Sequence, residues 1–379
     1  MTQKTTFGNS NRRTVLAALG AGGTAALAGC LGGDENGDDD GDDGGNENNE
    51  DSLADAEEPD IDTVALDPTD VPDPVDWDEP RRHEIELWTE EHTVEIEPGV
   101  THDMMMFAGD VPGSSVDHGT VPGPMIRVRE GDTIHLTFDV PEDLNVDVHN
   151  VDFHATYGPG GGAVDTTIAP GEGPVEIEFQ TKYPGAHIYH CAPGAHDHHI
   201  STGMFGTILV EPEDGLPEVD REFYFGQHEL YTDGDTGEEG HHRWDGDSAA
   251  SEDPTYVLFN GEVGRFVEDG EYGPLHAETG ETVRLFWCNG GPNHVTSPHP
   301  IGNVFTRWWD HGDVVNEPMK YVEGATLGAG FVGFGDMDLP VPGPITLVDH
   351  SLSRVIRKGL MAQIAVEGEP NPDVYDPDP

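Results

Sequence analysis

Short runs of hydrophobic residues alternate with polar residues from about position 82 to the end of the chain, and glycine, proline and acidic residues separate them. Representative runs are IRVREGDTIHLTFDV, VEIEFQ, FGTILVEP, TYVLFNGEV and ETVRLFW. Their length and alternation are typical of strands, and no long helical period intervenes. The pattern therefore predicts an all-β protein built as a β-sandwich.

The strand pattern repeats once along the chain. EGDTIHLTFDV matches TGETVRLFWCN, YPGAHIYHC matches VPGPITLVDH, and FGTILVEP matches AQIAVEGEP. The members of each pair lie roughly 150 residues apart, which is about the length of one domain. We therefore predict two tandem Greek-key β-sandwich domains, over residues 81–213 and 214–379.

The N-terminus is typical of an export signal. The stretch NSNRRTVLAALGAGGTAALAGC contains the pair Arg12 and Arg13, followed by small and apolar residues up to Cys30. Twin-arginine signals carry folded proteins out of the cytoplasm, and the apolar stretch is short for a spanning helix. LAGC resembles a lipobox, so we predict that residues 1–30 are a twin-arginine signal with lipidation at Cys30. A plain cleavable signal is the alternative.

The segment that follows the signal is acidic and rich in glycine and asparagine. Because it has almost no apolar side chains to bury, we predict a disordered linker over residues 31–80. Behind a lipid anchor, such a linker would hold the folded body at the outer face of the cytoplasmic membrane, in an extracellular or periplasm-like space.

The charge of the chain is strongly acidic. The 379 residues include 17 basic and 75 acidic residues, for a formal net charge of -58. A chain without a basic patch is a poor partner for nucleic acid, so this class of function is excluded. Acidic surfaces suit solubility in concentrated salt, where self-repulsion is screened, and we predict a halophilic source.

Two cysteines remain beyond the signal. Cys191 and Cys288 could pair as a disulfide in an exported protein. Cys288, however, lies in the apolar run VRLFWCNGG and is better interpreted as a buried core thiol. Cys191 lies in YHCAPGAHDHHISTGMFG, a stretch rich in metal-ligating side chains.

The residues around Cys191 divide into two sets by their parity, because residues of the same parity share one face of a strand. In VHNVDFHA, His149 faces one way while Asp152 and His154 face the other. In YHC, His190 and Cys191 also face opposite ways. We therefore expect one set to contain the cysteine and a second set to contain only imidazoles and a carboxylate.

The first set matches a cupredoxin-type blue-copper centre, which has two histidines, a cysteine and a weak axial methionine. Counting back from Met204 with the spacing H-x4-M selects His199 rather than His196 or His198. The predicted ligands of a type 1 copper are His149, Cys191, His199 and Met204.

The second set requires a third imidazole. His154 and His190 form a two-histidine site, and His350 in LVDHSLSR occupies the equivalent position of the second repeat. Imidazole sites with an open position suit catalytic copper or zinc. Asp152 could orient a ligand or pass protons, and His299 in SPHPIG is a second candidate acid.

Taken together, these motifs resemble the copper-containing nitrite reductases. The similar segments are GTVPGPMIRVREGD, HNVDFHA, HCAPGAHDHHISTGMFGTILVEP, SPHPIGNVF and LVDHSLSR. The resemblance covers the chain from about Arg82 to its end. One segment, EPMKYVEGATLG, departs from the family pattern, and His196 and His198 are additional histidines that we interpret as surface residues or adventitious metal binders.

The resemblance implies two cupredoxin domains, a homotrimer, and one type 1 and one type 2 copper per subunit. It implies a type 2 copper held by His154 and His190, with His350 from the neighbouring subunit. It also implies that Asp152 and His299 are the catalytic pair and that Ile301 shapes the nitrite pocket. The implied activity is one-electron reduction of nitrite to nitric oxide, as in denitrification, with a small blue-copper protein or a cytochrome as donor.

Two other functions compete with this interpretation. A two-domain, laccase-like multicopper oxidase requires paired His-x-His motifs and a His-Cys-His stretch, but Ala192 follows Cys191. A pure blue-copper electron carrier would retain Cys191 and Met204 but would not need His154 and His350.

Overall fold

The structure is a computed structural model that describes residues 53–116, 118–144 and 148–377. The predicted export signal, including Cys30, lies outside the described residues. Among the described residues, none of the helices has the length and apolar character needed to cross a membrane.

Two β-sandwiches follow one another along the chain. The strands of the first half are β1 (Arg82–Glu97), β2 (Val100–Asp110), β3 (Ile126–Arg129), β4 (Thr133–Asp139), β5 (Asp152–Phe153), β6 (Val175–Gln180), β7 (Gly185–His190) and β8 (Phe205–Glu211). The strands of the second half are β9 (Arg221–Leu230), β10 (Gly240–His242), β11 (Tyr256–Phe259), β12 (Leu275–Glu278), β13 (Thr282–Gly291), β14 (Pro298–Ile301), β15 (Arg307–Trp309), β16 (Phe331–Asp338), β17 (Gly343–Asp349) and β18 (Met361–Glu367).

The helices of the described residues are short and lie in the connections. They are α1 (Ala163–Thr166), α2 (His196–Ser201), α3 (Gly246–Ala250) and α4 (Ser353–Ile356), with 3-10 turns at Pro159–Gly162 and Asp310–Gly312.

The two sandwiches share one topology. The first has the sheet orders β10-β2-β1-β4-β6 and β3-β8-β7-β5, and the second has β11-β9-β13-β16-β15 and β12-β18-β17-β14. β1 pairs with β4 in parallel, as β9 pairs with β13, and β7 pairs antiparallel with β8, as β17 pairs with β18. The repeated sequence segments form these equivalent strands, so the predicted all-β fold of two tandem cupredoxin domains is confirmed.

The alternation of residues explains the sandwich faces. In β4, Ile134, Leu136 and Phe138 are buried, while the residues between them are half-buried. They pack with residues of the facing sheet, such as Ile208 and Val210, into one core. Cys288 is free and fully buried, as predicted for a core thiol.

The structure corrects part of the predicted disordered linker. Residues from 53 to 80 lie against the folded body: Ala54 forms a bridge with His241, and Val64 and Leu66 are completely buried. The backbone N–H of Val64 also donates to the carboxylate of Glu262 at 3.1 Å. The few apolar side chains of this segment suffice because they insert into an existing core rather than forming one. The domain boundaries themselves stay a prediction.

A buried network of ions joins the two halves of the chain. Arg127 on β3 donates to Glu211 at 2.6 Å and also contacts Glu222, which lies on β9. Glu222 accepts a second guanidinium, that of Arg284, at 3.1 Å, and Arg284 donates in turn to Asp336 at 2.8 Å. Both arginines are almost completely buried, so each depends on these carboxylates to compensate its lost hydration.

We expect Glu222→Gln to lower the free energy of unfolding by about 3 kcal/mol, because it leaves two buried guanidinium groups short of one negative charge. Chemical denaturation in constant high salt measures the change. Glu218→Gln, in the exposed part of the same connection, is the matched control and should change stability by less than about 0.5 kcal/mol. Equal stability of the two variants would contradict the role assigned to the network.

Candidate metal centres

The cysteine-containing set converges inside the first sandwich. The Sγ atom of Cys191 lies 3.5 Å from Nδ1 of His149 and 3.5 Å from Nδ1 of His199, and the two Nδ1 atoms are 3.1 Å apart. Metal–nitrogen bonds of about 2.0 Å and metal–sulfur bonds of about 2.3 Å place the ligand atoms of one ion about 3.3–3.6 Å apart. The three side chains therefore have the spacing that a single ion requires.

The loop between β7 and β8 positions this set. The short helix α2 carries His199, and Met204 follows it with its N–H donating to the carbonyl of His199 at 3.0 Å. The N–H of Cys191 donates to the carbonyl of Met204 at 3.1 Å, which closes the loop. The side chain of Met204 is completely buried in the same core as Cys191. A thiolate, two imidazoles and a nearby thioether are the donor set that copper prefers.

Burial governs the protonation of this set. It lowers the pKa of His149 from 6.5 to about 3 and that of His199 to about 4, so both imidazoles are neutral and can ligate a metal. Burial also raises the pKa of the Cys191 thiol to about 12. A bound cation would stabilise the thiolate, so metal binding should release a proton from this cysteine.

The buried histidines make the metal-free protein sensitive to acid. Burial also lowers the pKa of His228 to about 4 from an ordinary 6.5. These pKa values are lower in the folded state than in the unfolded state. The metal-free protein therefore keeps its full stability above pH 6.5 and loses stability as the pH falls toward about 4. We expect the unfolding free energy to fall by roughly 1.4 kcal/mol per pH unit for each such histidine. Denaturation of the metal-free protein between about pH 6.5 and 5 measures this slope.

The slope should respond to single histidines. His228→Phe removes a fully buried imidazole. It should lower the slope of unfolding free energy against pH by the contribution of one titrating group. His276→Gln, on an exposed strand position, is the control and should leave it unchanged. A slope that His228→Phe does not alter would be inconsistent with this origin of the acid sensitivity.

Asn150 supports the cysteine loop, a role that the sequence pattern did not reveal. Its Oδ1 accepts from the N–H of Ala192 at 2.7 Å, and its Nδ2 donates to the hydroxyl of Thr167 at 2.9 Å. Asn150 is 3 % exposed. It therefore ties the residue after Cys191 to the segment that carries His149.

We expect Asn150→Ala to weaken copper binding at the cysteine-containing set by about 10- to 100-fold, because partners behind the ligands fix their orientation. Competitive titration with a chelator, followed by thiolate-to-copper absorption, measures the affinity. Asn316→Ala, at an exposed asparagine of the second sandwich, is the control. Wild-type affinity in the Asn150 variant would contradict this role.

The second set forms on the opposite face of the same strands. Asp152 pairs directly with His190 across β5 and β7, so both side chains share one face. The Nε2 atoms of His154 and His190 are 3.1 Å apart, and Asp152, His154 and His190 offer ligand atoms within 4.8 Å of one another. Nδ1 of His190 donates to the carbonyl of Cys191 at 3.0 Å, which directs Nε2 toward His154. Burial lowers the pKa values of both imidazoles, so they are neutral ligands.

A glycine turn follows this set and allows the backbone to approach Asp152. A Cβ atom at Gly161 would collide with the carboxylate of Asp152, and Gly161 has a φ of 59°. The run GPGGG after His154 thus lets the backbone pass close to the carboxylate of Asp152.

His350 belongs to a separate cluster within one chain. Its ring lies 5.1 Å from that of His299, centroid to centroid, and both line an open cleft of the second sandwich. His350 is not among the ligand atoms grouped with His154 and His190. Ile301, two residues from His299 on β14, shares its face and is 47 % exposed.

The segment that departs from the family pattern supports His299. Nδ1 of His299 donates to the carbonyl of Glu323, which lies within EPMKYVEGATLG. A backbone carbonyl makes this bond, so residue identity gave no signal of it. The contact orients the ring of His299 and leaves Nε2 on the side that faces away from Glu323.

The additional histidines on α2 differ from each other. His196 is exposed, and its Nδ1 donates to the carbonyl of Gly194 at 3.1 Å. His198 is half-buried and stacks on Trp244, with ring centroids 4.5 Å apart. His196 therefore lies on the surface, whereas His198 is partly covered by Trp244, and adventitious metal binding by either histidine stays a prediction.

The fold and these two donor sets define a two-domain protein of the cupredoxin class with candidate copper centres. Residues 89–215 match a family model described as multicopper oxidase. The chain is 42 % identical over 317 residues to the copper-containing nitrite reductase of Neisseria meningitidis serogroup B, covering 83 % of this chain and 77 % of that protein. It is 34 % identical to the copper-containing nitrite reductase of Alcaligenes faecalis, covering 68 % of this chain and 71 % of that protein.

A solved structure supports the same assignment. The copper nitrite reductase of Nitrosomonas europaea is 30 % identical, with a TM-score of 0.65, and the match covers 77 % of this chain and 96 % of that one. The chain belongs to the copper-containing nitrite reductase family.

Proposed function

We propose that the protein reduces nitrite to nitric oxide, with one copper ion at each of the two donor sets. The observation that carries this proposal is the pair of sets joined by a single peptide link, from His190 to Cys191. One set is largely buried and contains a cysteine, which suits electron exchange once a metal is bound, and the other has imidazoles and a carboxylate. The curated relatives are named for the same reaction.

We infer that His149, Cys191, His199 and Met204 hold a type 1 copper. His154 and His190 would hold a type 2 copper together with His350 of a neighbouring copy. Among the described residues the second set of one chain has two imidazoles, while His350 lies in an open cleft elsewhere, so a neighbouring copy would complete the site. The homotrimer that the family resemblance implies would supply that copy. When bound, the two coppers supply electron exchange and an anion-binding Lewis acid.

The residues around the open position would supply protons. The reaction consumes one electron and two protons for each nitrite, forms one water and releases nitric oxide. Asp152 stands beside the imidazole pair of its own chain. His299 lines the same cleft as His350, so a neighbouring copy that supplies His350 would bring its His299 as well, and these two groups would deliver the protons. The exposed side chain of Ile301 lies next to His299 and would limit the room available to the anion.

We propose export by the twin-arginine route, lipidation at Cys30, and a position at the outer face of the cytoplasmic membrane of a halophile. The electron donor would be a small blue-copper protein or a cytochrome whose contact surface is basic or works in high salt, given the net charge of -58. Mass spectrometry of the mature N-terminus tests the lipid.

Turnover of the copper-loaded protein tests the function. With a chemical reductant and nitrite, a nitric-oxide electrode should record stoichiometric nitric oxide. Oxygen consumption without nitric oxide would favour the laccase-like alternative, and reversible reduction without either product would favour an electron carrier.

A further inference from the structure

A cavity of about 410 Å³ lies beside the cysteine-containing set and is not part of either donor set. It is formed where β2 meets α2 and the segment after β10. Its histidine, methionine and tryptophan lining consists of His92, His102, His198, His242, Met104, Met105 and Trp244. Imidazoles and thioethers together are unusual for a solvent cavity and are ligands for transition metals.

The burial and hydrogen bonding of His102 are those of a typical metal-binding histidine. It is 2 % exposed, and its Nδ1 donates to the carbonyl of His242 at 2.7 Å, which leaves the lone pair on Nε2. That Nε2 is buried without a hydrogen-bond partner. Burial lowers the pKa of His102 to about 4, so its imidazole is neutral near pH 7. A histidine that ligates a metal commonly donates its other ring N–H to a carbonyl in this way.

His198 provides a second imidazole at the same cavity. Its ring stacks on Trp244 with an interplanar angle of 29°, and its nitrogens make no hydrogen bond to any described residue. His92, also at the cavity, has its Nε2 3.1 Å from the carboxylate of Glu90 and retains Nδ1.

The charges around the cavity favour a cation. Asp60, Glu91 and Asp103 line it, while Arg243 is the basic residue at its edge. These three carboxylates outnumber the single guanidinium of Arg243, so the local field is negative.

We propose that this cavity is a third metal site, which binds one Cu2+ or Zn2+ ion per chain through Nε2 of His102 and a ring nitrogen of His198. The cavity residues do not form a third group of three ligand atoms within 4.8 Å of one another among the described residues. Binding therefore requires the half-buried His198 to rotate toward the fixed His102, with His92 or water completing the coordination.

The test uses the full copper-loaded protein and Zn2+ as the probe. Equilibrium dialysis in high salt with excess Mg2+ suppresses binding to surface carboxylates, which suit the harder ion. Metal analysis should then show about one Zn2+ per chain while the copper content stays constant. His102→Gln and His198→Gln should each weaken this binding at least about 10-fold.

His196→Gln is the matched control, because His196 lies on the same helix but does not line the cavity. It should bind Zn2+ as the wild type does. Thiolate-to-copper absorption shows whether each variant keeps its first centre. If His102→Gln fails to fold, Zn2+ binding by His198→Gln tests the proposal by itself. Absence of retained Zn2+, or binding that both variants leave unchanged, would overturn the proposal and leave ordered water as the partner of His102.

Discussion

We expect His154→Ala to abolish nitrite turnover, to below about 1 % of the wild type, while the thiolate-to-copper absorption remains. The variant removes one of the two imidazoles that a single chain contributes to the second set. It leaves Cys191 and His149 in place, because these side chains lie on the opposite face of the strands. Turnover is followed by nitric-oxide production and the first centre by its visible spectrum.

His196→Ala is the control for this experiment, since its exposed side chain belongs to neither set. It should keep both turnover and absorption. Undiminished turnover in the His154 variant would exclude the second set as the place of reaction. Loss of both signals would indicate that the two sets do not act as separate centres.

Mixing two inactive variants restores activity if the catalytic site is shared between copies. His154→Ala and His350→Ala should each be inactive alone. Co-refolded in equal amounts as random trimers, they should recover roughly a quarter of wild-type activity, because some interfaces combine an intact His154 with an intact His350. The separation of His350 from the His154 and His190 pair within one chain is the structural reason for this expectation.

A pair of variants on the same side of the interface provides the control. His154→Ala mixed with His190→Ala should recover nothing, because every interface then lacks one ligand from the same chain. Full recovery in this control, or none in the His154 and His350 mixture, would contradict the shared site. Light scattering confirms that the mixtures have the mass of the wild-type assembly.

Strand parity explains how much of the site the sequence could predict. The two sides are encoded by adjacent residues, His190 at the end of β7 and Cys191 directly after it. The pairing of Asp152 with His190 extends the same division to β5. The structure brings together the same two sets. The spacing to Met204 selected His199 without any tertiary information, because one short loop contains the whole segment.

Other features depend on contacts that no local pattern reveals. The carbonyl of Glu323 supports His299 whatever its side chain, and Asn150 acts through the backbone of Ala192. Strand β10 comes from the second half of the chain but joins a sheet of the first, which places His242 behind His102. Such long-range pairings are decided by tertiary packing rather than by residue preference.

An EPR spectrum of the copper-loaded protein, recorded with and without nitrite, distinguishes the two centres directly. We expect two copper signals, one from the thiolate centre that nitrite leaves unchanged and one from the imidazole centre that nitrite shifts. A single signal, or two signals that nitrite does not perturb, would contradict this expectation.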